Sequence, residues 1–151
     1  MICAKTMRVR SSLMTNYARC YYSSSSLRSR LLVETAEVQD LISQGDPSLR
    51  LINASWYLPT VDIDATAQHE EHRLTKDTQY FDIKLIADLN SGLPNTLPSL
   101  ELFTEHMRNL RIGRDSNIVC YDHVGMFSVA RCAWMLRFFG AANVRIMNGG
   151  L

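Results

Sequence analysis

The segment Ile118-Val119-Cys120-Tyr121-Asp122-His123-Val124-Gly125-Met126-Phe127-Ser128 constrains the fold more than any other stretch of the chain. Ile118 to Tyr121 favour β structure and carry no charge, which predicts a short buried strand. A loop with one glycine comes next, and Ser128 stands where it can cap a helix. That helix carries Val129, Cys132, Trp134, Met135, Leu136, Phe138 and Phe139, and Gly140 ends it as a C′ residue. A strand that turns directly into a helix aims the loop's N–H groups and the helix N-terminus at one point. Such a cradle binds anions and lowers the pKa of a thiol held in it. The side chain placed there is Asp122.

The chain before it reads as strands alternating with helices. Thr35 is expected to cap a helix with Val38, Leu41 and Ile42 on one face, ended at Gly45-Asp46-Pro47. Leu49 to Ala54 predicts a buried parallel strand, and Trp56-Tyr57-Leu58-Pro59 a packed corner after it. Residues 61–78 are polar and poorly periodic, so a surface excursion with one helical turn is expected. His69-Glu70-Glu71-His72 is not HExxH and has no third ligand in view, so it reads as a solvated charged face rather than a metal site. Gln79 to Ile83 predicts a second strand, with Asp82 binding locally or capping the next turn of chain. Leu93-Pro94 and Leu97-Pro98 predict a rigid surface loop. Ser99 caps a helix with Glu101 in its first turn, Phe103, Met107 and Leu110 inside, and Gly113 at its close. Val144 to Met147 predicts the last strand. This alternation argues for a single α/β domain, a parallel sheet with helices on both faces.

The chain has 151 residues, a net charge of +1 and 46% hydrophobic residues, as expected of one ordinary globular domain. The near-neutral charge gives no argument for direct nucleic-acid binding, and no apolar run reaches membrane-spanning length. Charge is unevenly distributed: no acid precedes Glu34, while Lys5, Arg8, Arg10, Arg19, Arg28 and Arg30 are basic and Ser23 to Ser26 are consecutive serines. An Arg-rich, Ser-rich, acid-free start predicts a mitochondrial presequence and linker over residues 1–32. Two of the cysteines, Cys3 and Cys20, fall in that segment, and Cys120 and Cys132 have no CxxC or zinc spacing, so no disulfide framework is expected.

Several motifs combine into a resemblance. Asn53-Ala54-Ser55-Trp56-Tyr57-Leu58-Pro59, Tyr80-Phe81-Asp82-Ile83, Ile86-Ala87-Asp88 and Leu93-Pro94-Asn95-Thr96-Leu97-Pro98-Ser99 come first. Tyr121-Asp122, Gly125, Phe127-Ser128, Ala130-Arg131, Trp134 to Arg137, Phe139-Gly140 and Asn148-Gly149-Gly150-Leu151 succeed them in order. Together they resemble the first, non-catalytic rhodanese domain of a fungal-type mitochondrial thiosulfate or 3-mercaptopyruvate sulfurtransferase. The similarity implies a rhodanese-like domain over residues 33–151, the first of two. The family continues past Gly-Gly-Leu, so a shortened chain without the second, catalytic domain is expected. The family's His-Ile-Pro-Gly-Ala-like segment is replaced by Arg73-Leu74-Thr75-Lys76-Asp77-Thr78, without its Pro or Gly.

The resemblance also implies a chemistry. The family moves a sulfane sulfur from a small donor onto a cysteine thiolate, and the persulfide passes it to a thiol or protein acceptor. Its fungal members feed tRNA wobble-uridine thiolation. The cysteine lies in the second domain's loop, and Asp122 occupies the corresponding place here. No catalytic residue is therefore expected in this chain, nor a cofactor or metal. A carboxylate cannot carry sulfane sulfur, and Asp122 is expected to cap its own cradle. Cys120 is the alternative carrier but reads as a buried small hydrophobe, as does Cys132. Arg131 pairs with Asp122, faces the missing domain or makes a surface salt bridge, the last being favoured. Arg137 lies too far along the helix to share its face. His123 reads as a solvated loop residue. Two functions remain: half of a sulfurtransferase of the mitochondrial matrix and also the cytoplasm, or an inactive rhodanese-like module that binds or regulates a partner.

Overall fold

The computed structural model describes residues 30–151. Residues 1–29 of the expected leader lie outside this range. The strands are β1 (Leu32–Val33), β2 (Leu49–Asn53), β3 (Gln79–Tyr80), β4 (Asn117–Tyr121) and β5 (Asn143–Met147). The helices are α1 (Thr35–Gln44), α2 (Ala65–His72), α3 (Leu100–Asn109) and α4 (Val129–Phe138). All strand pairs are parallel, in the order β1-β5-β4-β2-β3, so β4 is the middle strand.

Alternation along β4 divides the core. Ile118 and Cys120 face one layer, with Ile52, Phe103, Met107, Val129, Met135 and Leu136. Val119 and Tyr121 face the other, with Val33, Val38, Leu51 and Met147. Helices α3 and α4 cover the first face and α1 the second, as a parallel sheet with two apolar faces requires. Crossovers leave β2 and β4 in opposite directions across the sheet, β2 towards β3 and β4 towards β5. The carboxyl ends of β2 and β4 therefore flank a topological switch point, where open α/β sheets place their sites.

Several expectations hold locally. Gly45 adopts the left-handed conformation at φ 66° and ends α1. Ser99 accepts from the Leu102 N–H at the start of α3. Asp82 accepts from the Lys84 and Leu85 N–H groups. Gly140, at φ 97°, comes just after the end of α4.

Others are corrected. Glu34, not Thr35, sits at the cap of α1 and makes no capping bond, because its carboxylate accepts from Asn148 Nδ2 instead. The third strand stops at Tyr80 rather than Ile83, since the Asp82 turn takes the chain out of the ladder. Helix α3 ends before Gly113: Arg111 reverses the chain at φ 54°, and Gly113 N–H donates to Ser116 Oγ. The polar excursion holds two turns of helix, not one, because Asp64 caps α2 by accepting from Thr66 and Ala67 N–H. His69 on α2 is buried rather than solvated, at 4% exposure.

Candidate functional site

The loop after β4 closes around Asp122, which is fully buried. Its Oδ1 accepts from the N–H of Val124 (3.1 Å) and Met126 (2.9 Å). Its Oδ2 accepts from the N–H of Ser128 (2.8 Å) and Val129 (3.0 Å). To bring these donors round, Gly125 and Met126 both take positive φ, 84° and 74°. For Met126 that is a strained conformation, held by its bond to the carboxylate. Burial alone would raise the Asp122 pKa, but the Val129, Met126, Ser128 and Val124 N–H groups hold it below the ordinary 3.8.

The expected cap is thus replaced. Ser128 precedes α4 but makes no capping bond. Its hydroxyl donates to Ala54 O (2.6 Å) and accepts from Trp56 N–H (3.1 Å), tying the β4 loop to the exit from β2. The Asp122 carboxylate satisfies the helix N-terminus in its place. Trp56 stacks on Phe127 with ring centroids 6.0 Å apart, closing the corner.

A second polar connection lies beside the first. Asn53 Oδ1 accepts from both Ser55 N–H (2.9 Å) and Ser55 Oγ (2.6 Å). Ser55 Oγ in turn accepts from His123 N–H (3.0 Å). The other end of Asn53, Nδ2, meets His69 Nδ1 at 3.3 Å. None of these residues was expected to form a buried network. The available signal was the polar run Asn53-Ala54-Ser55 directly after an apolar strand, where backbone ends need partners.

His123 is half-buried, not solvated. Its Nε2 is buried without a partner, and its ring lies 5.9 Å from Tyr121 and 6.4 Å from His72. His72, Arg73, Leu74, His123 and Leu151 line an open depression of about 530 Å³ beside the loop. Leu151 N–H donates to Asp122 O (3.0 Å), so the Gly149-Gly150-Leu151 turn lies over the cradle.

The remaining candidates stand apart from the carboxylate. Cys120 and Cys132 are fully buried in the core, their sulfurs 3.9 Å apart. Burial pushes the Cys132 thiol well up. Arg131 makes neither the expected surface salt bridge nor a bond to Asp122. It donates to Asn95 O and lies over the Trp134 ring. Arg137 donates to Val144 O (2.7 Å), bridging α4 to β5. Among the described residues no group of three His, Cys, Asp or Glu side chains is arranged to hold a metal ion, and no helix is long and apolar enough to cross a membrane.

A parallel five-stranded sheet, helices on both faces and a backbone cradle after the middle strand define a rhodanese-fold domain. No family model matches the chain. The crystal structure of SseA from Escherichia coli, described as having the rhodanese fold, superposes with a TM-score of 0.74 and 31% identity, over 82% of this chain and 46% of that one. By sequence the chain is a homologue of sulfurtransferases. It is 34% identical over 106 residues to thiosulfate/3-mercaptopyruvate sulfurtransferase 1, mitochondrial, of Arabidopsis thaliana, covering 70% of this chain and 28% of that protein. It is 38% identical over 109 residues to human 3-mercaptopyruvate sulfurtransferase, covering 71% of this chain and 36% of that protein. The chain thus spans well under half the length of these relatives.

Proposed function

We propose that this chain is the first, non-catalytic rhodanese domain of a mitochondrial thiosulfate/3-mercaptopyruvate sulfurtransferase, and that the sulfane sulfur is carried by a loop cysteine in a second domain. The carrying observation is the filled cradle. All four donors that would stabilise a thiolate or persulfide already serve the Asp122 carboxylate. Asp122 stands in the persulfide position, and Cys120, sealed in the core, does not replace it. The domain's part in sulfur transfer is to support the domain that reacts, with thiosulfate or 3-mercaptopyruvate as donor and a thiol or protein as acceptor. The resemblance to the fungal members of the family implies an acceptor route leading to tRNA wobble-uridine thiolation. The rival reading, an inactive module that binds or regulates a partner, fits the same cradle and is separated by whether a second rhodanese domain is encoded beyond Leu151.

The purified 151-residue chain is expected to turn over neither thiosulfate with cyanide nor 3-mercaptopyruvate with a thiol. Turnover that disappears in Cys120→Ala would overturn this assignment.

The basic, acid-free start and the mitochondrial relative support import. Residues 1–32 fused to a reporter are expected to direct it to mitochondria, and changing Arg8, Arg10 and Arg19 to Glu to prevent this. A cytosolic reporter carrying the unaltered segment would reject the presequence.

A further inference from the structure

Helix α2 meets the ends of β2 and β3 through His69 and faces His123 of the β4 loop through His72, and the roles of the His69 nitrogens are fixed by their neighbours. Both donors of Ser55 occupy Asn53 Oδ1, so the Asn53 amide must present its NH₂ to His69. His69 Nδ1 must then accept, which puts the ring proton on Nε2. A proton added to Nδ1 would set a donor against a donor in a buried site. Turning the Asn53 amide over does not relieve this, because its NH₂ would then face the Ser55 N–H. The same helix places His72 against His123.

We propose that His69, with His123 and His72 beside it, forms an acid-sensitive latch, which holds α2 against the end of β2 when His69 is neutral and releases it when His69 is protonated. The surrounding groups set how readily His69 and His123 take up a proton. Glu71 lies 3.6 Å from His72 Nε2 on the outer side of α2. Burial, and then the neighbouring His72, disfavour a proton on His123, whose Nε2 is buried without a partner. Asp122 also faces His123, but its oxygens are already engaged by four N–H groups. Around His69, Glu70 favours a proton while Arg73 and His123 oppose it, and Glu70 is itself 3.4 Å from Arg73. Tyr80 packs against His69 with its ring tilted and stays neutral, since burial together with Asp82, Asp64 and Tyr57 raises its pKa to about 12. Tyr121, which packs against His123, is also held neutral by burial.

Burial lowers the His69 pKa from the ordinary 6.5. The unfolded chain therefore takes up the proton first. The latch is fully closed above pH 6.5 and weakens as the pH falls below it, about tenfold per unit of pKa difference. His72, Arg73 and His123 also line the depression beside the loop, so release of α2 would reshape it.

Hydrogen exchange of the full chain tests the latch at about pH 7.5 and about pH 5.5, with intrinsic rates corrected. Protection of the α2 amides is expected to fall in acid, by up to about tenfold at pH 5.5 for one titrating imidazole, while β4 and α4 keep theirs. His69→Gln, whose Oε1 can accept from Asn53 without titrating, is expected to suppress the acid response. Asn53→Asp is expected to reverse it by accepting from a protonated His69. Acid-insensitive α2 protection in the wild type, or an undiminished response in His69→Gln, would overturn the latch. Should both variants misfold, an NMR titration of wild-type His69 still decides: a pKa below 6.5 supports the latch, and one at or above 6.5 rejects it.

Discussion

Replacing Asp122 with alanine is expected to destabilise the domain by about 4 kcal/mol, a large share of the roughly 5–15 kcal/mol that holds a typical domain. The change removes one buried carboxylate and strands the N–H groups of Val124, Met126, Ser128 and Val129. A buried donor left without a partner costs about 1–3 kcal/mol, and bonds to a charged acceptor lie at the upper end. Water entering the vacated space recovers part of the sum. Asp122→Asn keeps an acceptor for one pair of donors and turns an NH₂ towards the other, so about half the loss is expected. The wild-type contribution has a defined pH dependence. Because folding lowers this carboxyl below 3.8, its stabilisation is fully present above that pH and disappears as the pH falls through the folded value. Urea denaturation at neutral pH measures both variants. A midpoint for Asp122→Ala within error of wild type would show that the carboxylate does not hold the loop.

Gly150→Ala is the second large effect, expected at about 3 kcal/mol. A Cβ at position 150 would lie 2.6 Å from the Asp122 carbonyl oxygen and 3.0 Å from the Gly125 nitrogen. Both are backbone atoms, so the overlap cannot be relieved by a side-chain rotation. The residue also has φ +74°, where an L side chain is strained. Gly149→Ala supplies the internal control. Its φ is similar, +85°, but no atom lies within 4 Å of the added Cβ. It is expected to cost only the conformational penalty, about 1 kcal/mol. Equal losses in the two variants would mean that close packing over the cradle contributes nothing.

These two effects have one origin, a loop that keeps the form of an anion site but is filled from within. The cradle's donors are consumed by a residue of the loop itself, and the Gly149-Gly150-Leu151 turn lies over it. A thiolate would need the same donors. Asp122 therefore does within the fold what a bound anion would otherwise do.

The sequence alone was sufficient for the layered architecture. Ile118 to Tyr121 are apolar without interruption, and only a strand covered on both faces suits that pattern. Gly45, Ser99 and Gly140 marked helix ends because each acts through its own backbone angles or a nearby N–H. Asp122 was recognisable as the occupant of the cradle for the same reason: its partners lie within the next few residues of chain. What sequence could not supply was every role shared between distant segments. Ser128 had the residue type and position of a cap, yet its hydroxyl serves Ala54 and Trp56, which only the pairing of β2 with β4 brings alongside. Arg131 read as a surface cation, but the backbone carbonyl of Asn95 takes it up, as that of Val144 takes up Arg137. His69 and His123 lay in polar surroundings that implied solvent. The crossing of α2 over the end of the sheet buried one and half-buried the other. Local pattern fixes which face of an element is apolar. Which polar group answers another across the fold depends on the register of parallel strands far apart in sequence, and that is set by tertiary packing.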